Sequence, residues 1–391
     1  MNIANPDQFV RENPIYLPVL ILGVILLASA LYLIIKYDAF CKGGGISTSI
    51  TIIKNSLPFR WFSSAFLLPL AALVTFFSGV PLGTEGPSVQ IGCAIGKSTL
   101  NFAKKDSEVL SRHIESGGMG AGFASVTGAP FSALVFVFEE LRLGFSPLMI
   151  VSVLCSVASS SLVSNILGNT LDFHVRLFDI TVNDFLSFKY IWLVIILGII
   201  VGILALLFIK LYHFAEELLD CKLKKIPTYL KFLFLFIVTA ILGFISSDFI
   251  GTGYSLINEI FTKIQNIWYM LLLALLVRAV LVAFSNKAGI TGGLFIPTLA
   301  LGAIIGYLFS QVFILLGVLP EKYALIIILI SVCSFLAAAT KIPFTAFILA
   351  LEMFCVGFNI VYVAVAIVFA FLVVKIFDVE KHISINIKHK V

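Results

Sequence analysis

Three motifs occur twice in this chain, in the same order and at a nearly constant spacing, and no other feature constrains its fold as strongly. Gly43-Gly44-Gly45-Ile46-Ser47 returns as Gly251-Thr252-Gly253-Tyr254-Ser255, 208 residues on. Pro87-Ser88-Val89-Gln90-Ile91-Gly92 returns as Pro297-Thr298-Leu299-Ala300-Leu301-Gly302, 210 on. Pro130-Phe131-Ser132-Ala133, followed by Glu139, returns as Pro343-Phe344-Thr345-Ala346, followed by Glu352, 213 on. Such a pattern describes an internal duplication. In apolar chains duplications build transporters, whose substrate sits where broken helices of the two halves meet. The chain therefore reads as an all-α polytopic membrane protein of two repeats, 1–180 and 181–391, divided within the more polar stretch 165–188.

Composition agrees. Of the 391 residues, 60% are hydrophobic and 12% charged, too apolar for an ordinary soluble domain. A span needs roughly 20 apolar residues, and the runs 14–35, 191–209, 232–250, 268–284, 324–339 and 360–377 are the plainest candidates. Shorter pieces punctuated by Gly and Pro, 83–95, 128–138, 292–307 and 342–351, read as helices that need not cross, which lipid tolerates only where protein buries their ends. The first run follows Asp7, Arg11 and Glu12 and precedes no small-residue cleavage site, so it is not a signal peptide. A net charge of +5 would suggest nucleic acid in a soluble chain. Here Lys210, Lys222, Lys224 and Lys225, and Lys375, Lys381, Lys388 and Lys390, read as cytoplasmic segments under the positive-inside rule. The second repeat opens with a helix at 190–219, whose counterpart would fall before residue 11. The first repeat is accordingly expected to lack its opening helix, with residues 1–13 outside the cell and 388–391 inside. No soluble domain is expected beyond 377, where the second repeat is expected to end in one short helix. The six cysteines form no CxxC pair and read as small apolar core residues; no metal or cofactor is implied.

Gly83-Thr84-Glu85-Gly86-Pro87 sets a carboxylate between glycines at a helix start. Backbone N–H groups there are unpaired and the helix dipole is positive. The glycines leave no side chain between those donors and an anion, and Pro in the first turn needs no donor. A carboxylate so placed occupies an anion site itself, or leaves it on protonation; a plain structural cap is the alternative. Gly293-Leu294-Phe295-Ile296-Pro297 repeats the opening without the carboxylate. With Gly43 to Ser47, this makes three glycine-lined helix starts. Other signals are weaker. Gly117, Gly118, Gly120 and Gly122 lack the Lys-Ser/Thr of a phosphate loop and read as helix packing. The run from His213 to Glu217 is no zinc motif and reads as a solvated helix end. Arg278 and Lys287 read as snorkelling or cytoplasmic-side anchors rather than substrate contacts. An intramembrane enzyme would need a nucleophile pair or metal ligands at depth; with no GxSxG, HExxH or paired aspartates, the chain reads as no enzyme.

The residues 83–92 resemble the GREGPxVQxG signature of the CLC family of chloride channels and chloride/proton antiporters. Gly292 to Pro297 resembles that family's GGxFxP, Gly43 to Ser47 its GSGIP, Glu139-Glu140 its internal glutamate pair, and Leu351-Glu352-Met353 a late motif. The matches run in order over 14–377. The resemblance implies an inverted repeat of tilted, broken helices, one pore per subunit, and a homodimer in the plasma membrane, without soluble regulatory domains. It implies that Glu85 is the external gate and Glu140 the internal proton-transfer group. It places the N–H groups of Gly86, Leu294, Phe295, Ile296 and Ile46 around a small monovalent anion, with Gly44, Gly45, Ser47, Gly83 and Thr84 lining the site.

The chain also departs from the family pattern. Thr84 replaces the signature Arg, Gly44 the central Ser and Ser47 the Pro, while Ile383 stands where the last helix supplies a Tyr. Two hydroxyl ligands are thereby absent, implying weaker and less selective anion binding unless Ser47, His382 or Ser384 substitutes. The expected function is chloride/proton antiport gated by Glu85; a passive anion channel or a fluoride/proton exporter of the same fold are the alternatives. Against fluoride, Phe295 is the chloride-type residue and no Met occupies position 44.

Overall fold

The structure, a computed structural model, describes residues 17–55, 60–102, 107–142, 146–172, 175–178, 180, 182, 184–262 and 268–377. Among the described residues there are fifteen α-helices and no β-strand. The first seven are α1 (Leu17–Tyr37), α2 (Ile46–Asn55), α3 (Trp61–Phe77), α4 (Glu85–Phe102), α5 (Glu108–Thr127), α6 (Pro130–Leu141) and α7 (Pro147–Leu171). The remaining eight are α8 (Ile191–Glu217), α9 (Thr228–Ile245), α10 (Tyr254–Thr262), α11 (Trp268–Ala288), α12 (Phe295–Leu315), α13 (Ala324–Thr340), α14 (Pro343–Glu352) and α15 (Ile360–Phe377). By motif and order α2, α4 and α6 correspond to α10, α12 and α14, which makes α1 the mate of α9. The helix α8 has no mate among the described residues. The expectations for 1–13 and 388–391 fall outside those residues.

Eight of the described helices are long and apolar enough to cross a membrane, so the protein is polytopic. Two differ from the sequence reading. The span Pro147–Leu171 went unrecognised because Ser152, Ser156, Ser159, Ser160, Ser161 and Ser164 dilute its hydropathy; Ser152 and Ser160 donate to the carbonyls of His113 and Ala121 on α5. That helix also absorbs residues 165–171, which the polar-boundary reading had placed between the repeats. The piece 292–307 extends as α12 to Leu315 and is itself long enough to cross.

Matching turns start matching helices. Gly128 (φ 65°) and Lys341 (φ 63°) both take the left-handed conformation that ends α5 and α13. Pro130 and Pro343 then open α6 and α14, where a missing N–H costs nothing. These two short helices are tied to each other reciprocally. Glu139, near the end of α6, accepts from the N–H groups of Phe344 (2.9 Å) and Thr345 (2.7 Å) and from the Thr345 hydroxyl (2.7 Å). Glu352, at the end of α14, accepts from the N–H groups of Phe131 (2.9 Å) and Ser132 (2.7 Å) and from the Ser132 hydroxyl (2.8 Å). Each helix thus ends on a carboxylate that caps the start of the other, so the two lie antiparallel. Whatever direction one takes through the bilayer, the other reverses it, as an inverted repeat requires.

The glycine run of α5 packs helices, as read: a Cβ on Gly118 would overlap the carbonyl of Gly92 on α4, and one on Gly122 the carbonyl of Ser88. Arg278 corrects its reading. It is not a snorkelling anchor but a buried guanidinium (1% exposed), donating to the carbonyls of Asp248 (2.9 Å), Ile250 (2.9 Å) and Gly251 (2.8 Å). A buried charge survives where carbonyl dipoles engage its donors; here they engage both terminal nitrogens, while Nε has no partner among the described residues. Lys210 belongs to α8 rather than to a loop. Of the cysteines, Cys41, Cys93 and Cys333 are buried as expected, whereas Cys155 and Cys221 are exposed.

Candidate functional site

The loop that delivers α2 is held from three sides. Asp38, 4% exposed, accepts from Phe40 N–H (3.0 Å), Ser63 (2.8 Å) and Ser64 (3.2 Å). Gln90 on α4 donates to the Phe40 carbonyl (2.7 Å), and Thr291 to that of Cys41 (2.6 Å). The three glycine-lined starts are then joined through their backbones. Gly43 N–H donates to Gly289 O (3.2 Å) and Gly292 N–H to Gly43 O (3.1 Å), while Gly83 and Gly293 exchange both hydrogen bonds (2.8 and 2.7 Å). Two of these glycines are obligatory. A Cβ on Gly86 would overlap the Gly44 carbonyl, and Gly45 combines φ +77° with a Cβ that would overlap the Gly86 carbonyl.

This junction concentrates open donors. Among the described residues no carbonyl accepts from the N–H of Gly86, Leu294, Phe295 or Ile296; the N–H of Ile46 donates to Gly44 O (2.9 Å). The Glu85 side chain folds into the same place. It is fully buried, and its Oε2 lies against Gly83 and 3.6 Å from where a Cβ on Gly293 would sit. Among the described residues neither carboxylate oxygen has a hydrogen bond of full geometry, although the backbone N–H groups of Glu85 itself and of Ile296 are close enough to act on its charge. A buried carboxylate without a well-formed hydrogen bond is costly, and so are amides that no carbonyl accepts from beside it. Open N–H groups at a helix start are chemically matched to an anion.

Below the junction opens a cavity of about 510 Å³, lined among others by Gly44, Ile46, Ser47, Leu294, Phe295 and Glu140. Four cationic side chains, Lys54, Arg142, Lys287 and Lys341, line it with that one acid, which biases it towards anions. Phe295 and Phe136 form part of its wall and both pack on Phe123, at ring-centroid distances of 5.2 and 4.3 Å. The structure thus collects Gly44, Ile46, Ser47, Leu294, Phe295 and Glu140 on one cavity, and groups Gly83, Gly86 and Glu85 immediately behind it. Gly45 packs on Gly86. Half-buried Thr84 gives its carbonyl to Ser88 (3.0 Å from N–H, 2.9 Å from Oγ). Ile383, like His382 and Ser384, lies outside the described residues. Among the described residues no cluster of His, Cys, Asp and Glu could hold a metal ion.

Sequence reasoning missed several residues here. Asp38, Gln90 and Thr291 position the loop, and Tyr212 and Asn286 line the cavity. Asn286 alone left a trace, as a polar residue in an apolar helix just ahead of the Gly292 motif. The run from His213 to Glu217, read as a solvated helix end, reaches this region: Glu216 pairs with Lys287 at 2.9 Å.

Comparison with known proteins agrees with this architecture. A family profile described as "Voltage gated chloride channel" matches residues 24–375. An X-ray structure of a slow cyanobacterial Cl−/H+ antiporter superposes with a TM-score of 0.85 at 22% identity, over 95% of this chain and 86% of that one. A eukaryotic CLC transporter gives 0.74 at 20% identity, over 93% of this chain and 64% of its own length. A CLC-type fluoride/proton antiporter gives 0.75 at 22% identity, over 95% and 89%. These three show a common fold.

Proposed function

The chain belongs to the voltage-gated chloride channel family and is a membrane anion transporter of that family; on this premise we propose that it exchanges chloride, or a similar monovalent anion, for protons, with Glu85 as the gate. The observation that carries the reading is the Glu85 carboxylate, buried beside the N–H groups at the starts of α4 and α12 with no hydrogen bond of full geometry among the described residues. Anion and carboxylate compete for those donors. Protonation removes the charge that draws Glu85 to those donors and lets the side chain leave, so each proton bound is linked to an anion admitted. Glu140 supplies the inner proton step. Its neighbour Glu139 is engaged by the start of α14, whereas Glu140 lines the cavity. Assembly as a homodimer in the plasma membrane belongs to the same proposal.

An uncoupled anion pathway is the second reading, favoured by Gly44, which offers the anion no side chain. One experiment separates the two: purified protein in liposomes, with anion efflux and proton uptake recorded together under chloride, and again under fluoride. Anion flux that drives protons uphill supports exchange. Anion flux without proton movement establishes the channel. Uphill proton movement under fluoride alone would make the substrate fluoride.

A further inference from the structure

The anion site described above contains backbone donors and, at Gly44, a gap where a side chain would stand. Another residue fills that gap. A Cβ built on Gly44 would lie 3.3 Å from Nδ2 of Asn286 and 3.6 Å from the Gly292 carbonyl. Asn286, in the last turn of α11, is 8% exposed. Its carboxamide is oriented from both ends: Tyr212 on α8 donates its hydroxyl to Oδ1 (2.5 Å), and Nδ2 donates to Gly292 O (3.0 Å). Turning the amide over would set Oδ1 against the Gly292 carbonyl, acceptor against acceptor, so the NH2 group is committed to the side facing Gly44. Of its two N–H bonds one goes to Gly292, and the other meets no protein acceptor among the described residues. Gly44, Tyr212, Asn286 and Lys287 all line one cavity. The Lys287 ammonium stands 4.2 Å from the centroid of the Tyr212 ring and pairs with Glu216, which fixes the phenol in turn.

We infer that Asn286 is the side-chain ligand of the anion at the inner end of the site, its spare amide N–H taking the place that Gly44 leaves empty, and that Tyr212 is the positioning residue that sets this amide. The inference rests on reading the cavity as the anion path. A neutral carboxamide donates without adding charge, so it contributes one directed hydrogen bond to a dehydrated ion while the surrounding cations draw that ion in.

The test is calorimetric titration of the purified full chain with chloride and bromide. Asn286→Ala is expected to weaken binding about tenfold or more, the loss of one hydrogen bond to a charged group. Asn286→Asp, which turns the donor into an acceptor, should weaken it further. Tyr212→Phe should have a smaller effect that disappears in the Asn286→Ala background, because it acts only through the amide; a merely structural tyrosine would add its own loss there. If Asn286→Ala does not fold, a bromide-soaked crystal of the wild type decides the matter. Anomalous density within hydrogen-bonding distance of Asn286 Nδ2 supports the inference, and density confined to the start of α12 overturns it. Wild-type chloride affinity in folded Asn286→Ala overturns it while leaving anion transport intact. A wild type that neither binds nor carries an anion overturns the underlying functional reading as well.

Discussion

The pairs α6/α14 and α4/α12 are each related by the duplication, yet they have fared differently. In α6 and α14 the symmetry is complete: Glu139 caps α14, Glu352 caps α6, and the two sets of hydrogen bonds match within about 0.1 Å. In α4 and α12 it is broken at three positions of the opening, Thr84/Leu294, Glu85/Phe295 and Gly86/Ile296. Glu85 opens α4, whereas Phe295 opens α12 in its place and turns its ring to the hydrophobic wall at Phe123. Where the halves kept the same carboxylate, it binds them together. Where only one half has it, the carboxylate is buried at a converging set of amides with no hydrogen bond of full geometry among the described residues. Both kinds of glutamate sit at helix starts and draw on the same dipole. The difference lies in satisfaction. A carboxylate with three donors holds two helices together, whereas one without a well-formed hydrogen bond has no such tie.

The sharpest way to break that comparison is to remove the asymmetric glutamate. Glu85→Ala or Glu85→Gln should abolish proton coupling completely while anion flux in liposomes is kept or raised. Full proton-driven anion uptake in Glu85→Ala would sink the gate.

The symmetric pair should respond in stability instead. Glu139→Gln and Glu352→Gln each keep the side chain's shape but remove its charge and part of its acceptor capacity, and each should cost about 1–3 kcal/mol. Thermal unfolding in detergent should show two similar losses. A large loss for one and none for the other would mean that the caps are not equivalent. Glu140→Gln, one residue from the cap but facing the cavity, should lower proton flux with a lesser effect on anion flux and little on unfolding. If instead it unfolds like Glu139→Gln and leaves proton flux alone, Glu140 has no part in transfer.

The sequence carried the duplication, the helix-start motifs and most of the spans, because each is encoded locally: glycines and prolines at fixed offsets, and apolar runs of sufficient length. What it concealed depends on partners far away along the chain. The Glu352 cap joins residues 221 and 220 apart, and the hydrogen bond from Tyr212 to Asn286 joins residues 74 apart. Neither leaves a local pattern. Arg278 was misplaced for the same reason: a lone cation in an apolar helix resembles a lipid-facing anchor until the loop carbonyls it serves are seen. The span Pro147–Leu171 was hidden by its serines, of which Ser152 and Ser160 donate to carbonyls of α5.

The smallest expected effect is the most discriminating. From the sequence alone, Gly44→Ser should restore a missing ligand and tighten anion binding. The structure changes that expectation. The added Cβ would come within 3.3 Å of Asn286 Nδ2, closer than ordinary van der Waals contact between such atoms, so the new hydroxyl and the existing amide compete for one position. Backbone strain does not enter, because Gly44 is not among the residues with positive φ. Gly44→Ser in the wild type should therefore leave chloride affinity unchanged or slightly lower. Introduced into Asn286→Ala, where the space is free, the same substitution should recover most of the affinity lost. Calorimetric titration of the two single variants and the double variant closes this cycle. A clear gain from Gly44→Ser alone would show that the gap at Gly44 is open to the anion and that Asn286 does not fill it.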